Sequence, residues 1–105
     1  MTQMSDTIKT MLSQLGGSRF LYMVGASDVG FSNQKEYLSL RFKGCKRYNT
    51  LRVTYNRGLD IYHVLLTKWS PKRLENTDSQ EFENVYAEDL QGLFTRMTGL
   101  HTSLH

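Results

Sequence analysis

Two runs of the chain, residues 38–43 and 51–56, place apolar side chains on alternate positions. Leu38, Leu40 and Phe42 alternate with Ser39, Arg41 and Lys43, and Leu51, Val53 and Tyr55 alternate with Arg52, Thr54 and Asn56. A period of two belongs to the extended strand, whose successive side chains point to opposite faces. Strands patterned this way are dry on one face and wet on the other. The dry face needs an apolar cover from elsewhere in the chain.

Both ends of the sequence offer one. Ser5 or Asp6 can cap a helix in which Ile8, Met11, Leu12 and Leu15 form a single stripe at helical period, closed by Gly16-Gly17. A second stripe runs through Tyr86, Leu90, Leu93, Phe94 and Met97. Glu88 and Asp89 lie near its start and Arg96 near its end, the polarity the helix dipole favours. Gly99 supplies a C-cap. The spacing predicts helices near 5–15 and 85–98.

Between them, residues 19–24 are apolar and aromatic and read as a strand. The glycines and small polar residues of 25–33 read as a loop, 44–49 as a basic connection, and 56–58 as a turn. A long strand follows from about 60 to 69, stopped by Ser70-Pro71, and the polar stretch 72–81 reads as a surface loop. The expected fold is α+β: helix, an antiparallel meander of about four strands, helix. The simplest packing is a two-layer sandwich with both helices on one sheet face. At 105 residues the chain is read as one domain, 1–105.

Composition narrows the functional classes. No run approaches the roughly 18 consecutive apolar residues of a membrane helix, and residues 1–9 lack a secretory pattern. Cys45 is the only cysteine, so no intrachain disulfide can form. These features predict a reducing, cytoplasmic setting with no membrane partner. Cys45 lies beside Lys46 and Arg47, which favour a thiolate, but no base is placed for it by the sequence. His63, His101 and His105 show metal-ligand spacing only in the 101/105 tail pair. Glu81, Glu83, Glu88 and Asp89 read as a solvated loop and a helix start, and Gly25 and Gly30 lack the context of a phosphate loop. The expectation is a protein that is not an enzyme, with no cofactor and no metal.

Charge is the more suggestive property. Residues 1–59 hold nine Lys/Arg against three Asp/Glu, whereas residues 60–105 hold four against seven. Such asymmetry can steer a charged partner. Its centre is 41–57, where Arg41, Lys43, Lys46, Arg47, Arg52 and Arg57 occur with no acid and Tyr48 and Tyr55 are interleaved. Cations neutralise phosphates and tyrosines stack on bases, so the run suits nucleic acid; it suits an acidic protein surface as well. By strand parity Tyr55 points to the core, leaving Tyr48 as the stacking candidate. The candidate binding residues are therefore Arg41, Lys43, Lys46, Arg47, Tyr48, Arg52 and Arg57. An exposed strand edge or the apolar region around Trp69 leaves a homodimer open.

Two segments carry a resemblance. One is Gln14-Leu15-Gly16-Gly17 followed by Phe20, Met23 and Gly25-Ala26. The other is Val85-Tyr86-Ala87-Glu88-Asp89-Leu90, then Phe94, Thr98-Gly99-Leu100 and Thr102-Ser103-Leu104. With Asp60-Ile61-Tyr62 they resemble a family of small uncharacterised proteins of phages, prophages and mobile elements. The resemblance implies a non-enzymatic accessory protein that binds a host protein or ribonucleoprotein complex, as an anti-CRISPR inhibitor does, or that handles nucleic acid.

Overall fold

The computed structural model describes residues 3–100, in the order α1 (Asp6–Leu15), α2 (Gly17–Met23), β1 (Ser27–Ser32), β2 (Tyr37–Arg41), β3 (Thr50–Asn56), β4 (Ile61–Ser70), β5 (Glu75–Val85) and α3 (Ala87–Thr98). The five strands form one antiparallel sheet in the order β1-β2-β3-β4-β5. The sheet is antiparallel, as expected, but only three of the four expected strands are present, as β2, β3 and β4; residues 19–24 are largely helical, and β1 and β5 arise from stretches read as loops. Residues 101–105, including the histidine pair of the tail, lie outside the described residues.

The α1 helix forms as its sequence dictates. The Ser5 hydroxyl accepts from the Ile8 N–H, Asp6 opens the first turn, and Ile8, Met11 and Leu15 are fully buried. Gly16 closes it at φ 127°, a conformation that only glycine, with no side chain, adopts at little cost. The chain then turns directly into α2, where a strand was expected at 19–24. Phe20 and Val24 are buried four residues apart while Tyr22 between them is exposed, which is helical spacing over too short a run to recognise.

Two stretches expected as loops are edge strands. Residues 27–32, inside the expected 25–33 loop, pair with β2 in a register that is broken between Ser27 and Gly30, where Asp28 has a φ of 50°. The polar stretch 72–81 is largely β5, which pairs along β4. Edge strands are solvated on one side and avoid apolar side chains, so both have loop-like composition. Only Phe82 and Val85 of β5 reach the apolar cluster, three residues apart. A bulge between them restores the inward parity: Val64 pairs with Phe82 and Tyr62 with Val85, so His63 faces both Glu83 and Asn84.

The core is a single cluster. It joins Ile8, Met11 and Leu15 of α1, Phe20 of α2 and Leu90, Leu93 and Phe94 of α3 to Leu38, Leu40, Leu51, Val53, Tyr62, Val64 and Leu66 of the sheet. Register places Leu38, Val53 and Val64 in one row and Leu40, Leu51 and Leu66 in the next, all of one parity. The Phe94 ring stands edge-on to Phe20 at 5.2 Å and to Phe42 at 5.1 Å, tying α3 to α2 and to the end of β2.

The 42–49 connection is held rather than loose. Phe42 N–H bonds to the Asn49 carbonyl and Lys43 N–H to that of Val24. The Asn49 carboxamide accepts from the Trp69 N–H at 2.8 Å and donates to the Trp69 carbonyl at 3.0 Å, repeating with a side chain the pairing that a strand would make. Gly44 sits at φ 93°, where an added Cβ would come within 3.0 Å of Leu100.

Candidate functional site

The opposite parity defines a second sheet face. Its rows are Tyr37–Thr54–His63, Ser39–Arg52–Leu65–Glu81 and Arg41–Thr50–Thr67–Ser79. Ser39, Arg41, Thr50, Arg52, Leu65, Thr67, Trp69 and Asn76 line a concavity of about 450 Å³ on it. The floor is made of hydroxyls and Leu65, and the half-buried Trp69 stands at one end. Residues 65, 67 and 69 share this parity on β4, which is the signal that could have found Trp69 from sequence.

Arg41 and Arg52 both line the concavity, as the strand alternation predicts, but their surroundings differ. The Arg41 guanidinium lies 3.6 Å from Asp28 across the β1–β2 pair, with both groups half-exposed or more; such a pair is worth little. Arg52 has no carboxylate within ion-pair distance among the described residues. Its guanidinium lies 4.5 Å from the Tyr37 ring centroid, a diagonal cation–π contact that holds the long side chain against the sheet and leaves its charge unneutralised.

The other expected binding residues do not join them. Arg47 donates to Asp78 at 3.0 Å; this hydrogen bond, then the Tyr48 and Asp78 charges, raises the Arg47 pKa. Lys43 and Lys46 are exposed on the connection and do not line the concavity. Tyr48 is fully buried, so it has no ring face to offer a base, and its hydroxyl has no partner among the described residues. Its ring is wanted by the core, and parity could not reveal this because Tyr48 lies outside a strand. Arg57 is at the far end of the molecule, bound to Glu36 and Thr7, and its pKa is raised first by the Glu36 hydrogen bond. Tyr55 packs against the cluster as expected and donates its hydroxyl to Asp60.

A third group, absent from the sequence reading, forms where β4 meets β5. His63 Nε2 lies 3.3 Å from Glu81 Oε2, and one donor atom each of His63, Glu81 and Glu83 lies within 4.8 Å of the other two. The face is therefore mixed in sign, cationic at Arg41 and Arg52 and acidic at Glu81 and Glu83.

No family model matches the chain, nor does any curated protein or solved structure. Among the described residues no helix is long and apolar enough to cross a membrane.

Proposed function

We propose that this chain is a non-enzymatic accessory protein of a phage or mobile element that binds a host protein through the open sheet face, in the manner of an anti-CRISPR inhibitor. The reading takes α1 and α3 to cover one sheet face together, in a two-layer sandwich, and to leave the other available. The observation that carries it is the unneutralised Arg52, held on Tyr37 beside the concavity that Trp69 lines. Arg, Tyr and Trp are the residues that dominate binding energy at protein interfaces, where a half-buried aromatic and a pre-positioned guanidinium lose little entropy on docking. The resemblance of 14–26 and 85–104 to phage and mobile-element proteins supplies the biological setting.

A protein partner fits this face better than nucleic acid. A phosphate backbone laid along the Ser39–Arg52–Leu65–Glu81 row would leave Arg52 and meet the Glu81 carboxylate, and Tyr48, the tyrosine of the basic run, is buried. A folded partner can place an acidic side chain against Arg52 and neutral or basic groups further along.

The test is affinity capture from host lysate with and without nuclease, using the wild type, Arg52→Glu and Trp69→Ala. The expected result is a protein retained after nuclease and lost, by about tenfold or more in affinity, in each variant. Arg41→Glu/Arg52→Glu should weaken binding most at low salt, where charge attraction is least screened. Loss of all captured material with nuclease would favour the nucleic-acid module instead. Capture unchanged by both variants would remove the open face as the site.

A further inference from the structure

We propose that His63, Glu81 and Glu83 form a binding site for one divalent transition-metal ion, with Zn²⁺ as the representative case. The three side chains come from two paired strands and offer one imidazole nitrogen and two carboxylate oxygens. This mixed set suits a borderline ion such as Zn²⁺ better than the all-oxygen preference of Ca²⁺ or Mg²⁺.

The spacing fits one ion. Ligands about 2.1 Å from a tetrahedral centre lie about 3.4 Å from one another. His63 Nε2 and Glu81 Oε2 are 3.3 Å apart. Within the triad no two of the donor atoms are more than 4.8 Å apart. Closing that remainder requires only side-chain torsions of the glutamates, which are both exposed.

The backbone sets the arrangement. Glu81 and Glu83 are two apart on β5 and so share a face. The bulge between Phe82 and Val85 holds Glu83 beside His63 while Val85 returns to the core. A cleft of about 330 Å³, lined by Asn56, Ile61, Tyr62, His63, Glu83 and Asn84, adjoins the triad and gives an ion access from solvent. Three protein ligands leave a fourth position for water or for a donor from a docked molecule. The ion would also convert an acidic corner of the open face to a neutral one, since two carboxylates are offset by two positive charges.

The experiment measures metal alone, with no partner, so it stands or falls separately from the docking reading. Isothermal titration with ZnCl₂ is run on a chain carrying His101→Ala and His105→Ala, which removes the tail pair as a competing ligand set. Co²⁺ absorption is recorded in parallel for coordination number. The expected result is one ion per chain with a four- or five-coordinate Co²⁺ spectrum. Affinity should fall at least tenfold in His63→Ala and in Glu81→Gln/Glu83→Gln. These side chains are half-exposed or exposed, and circular dichroism checks that each variant is folded. As a second readout that needs no variant, the His63 ring-nitrogen resonances of the folded protein should shift on Zn²⁺ addition. No binding, binding unaltered by the substitutions, or unmoved His63 resonances would overturn the assignment.

Discussion

The two faces of the sheet are built from the same strands by opposite rules. On one, Leu38, Leu40, Leu51, Val53, Val64 and Leu66 are at most 2% exposed and belong to one apolar cluster with residues of the helices. On the other, the same strands present Ser39, Arg41, Thr50, Arg52 and Thr67 around a shallow concavity. The first face holds the fold together, because burial of apolar side chains is worth roughly 1.5–3 kcal/mol each. The second, with its exposed arginines and half-buried polar groups, contributes less to stability and is the face on which recognition is proposed. The difference teaches that sequence change should be costly on one parity and tolerated on the other, although both occupy the same backbone.

The largest test of that contrast is Phe94→Ala. It removes the ring shared by Phe20 and Phe42 and should cost about 3–5 kcal/mol, read by chemical denaturation. A loss below about 1 kcal/mol would mean that α3 is not integral to the dry face. Next in size is Tyr48→Phe. Deleting a buried hydroxyl with no partner among the described residues should leave stability equal or raise it by about 1 kcal/mol. A clear destabilisation would show that the hydroxyl is satisfied after all.

The pH dependence of stability probes the dry face where β3 and β4 meet α1. Burial, then the charges of Tyr55 and Asp60, raises the Tyr62 phenol above its ordinary 10.0. The Tyr55 phenol is raised as well, first by the hydrogen bond that it donates to Asp60. The folded state then holds these protons more tightly than the unfolded chain. The stability they contribute is complete below about pH 10 and is lost as pH rises through the folded values. Unfolding measured at about pH 8 and about pH 11 should show the fall, and Tyr62→Phe should flatten it. The same substitution removes the 2.6 Å bond between Tyr62 and Gln14, at about 1 kcal/mol at neutral pH. The smallest effect belongs to the wet face. Arg41→Glu/Arg52→Glu should change stability by no more than about 0.5 kcal/mol per site, since neither charge is buried. A melting curve shifted as far as that of Phe94→Ala would abolish the distinction.

What the sequence made legible follows this division. Helices α1 and α3, strands β2 and β3 and the long β4 each bury a stripe with a recognisable period, and all were readable. Helix α2 spans two turns and buries only Phe20 within its bounds, too little for a period to emerge. Strands β1 and β5 are edges, and the solvent that favours polar residues there erases the alternation. The candidate face was half legible. Arg41 and Arg52 follow from parity within strands, whereas Tyr48 and Arg57 lie outside or at the end of them, where parity says nothing. The partners Asp28, Asp78 and Glu36 are set by tertiary register. The triad at His63 could not be seen while β5 was read as a loop.

Asn49 has a further consequence. Its carboxamide fixes the backbone of Trp69, and Trp69 is the only tryptophan in the chain. The indole emission of the whole protein thus originates from a single chromophore at the edge of the concavity. Anything that settles there should shift or quench that emission without an attached label. Asn49→Asp, which has lost the amide donor and sets a carboxylate against the Trp69 carbonyl, should move the emission maximum before any ligand is added. The molecule carries its own optical reporter for the surface on which recognition is proposed.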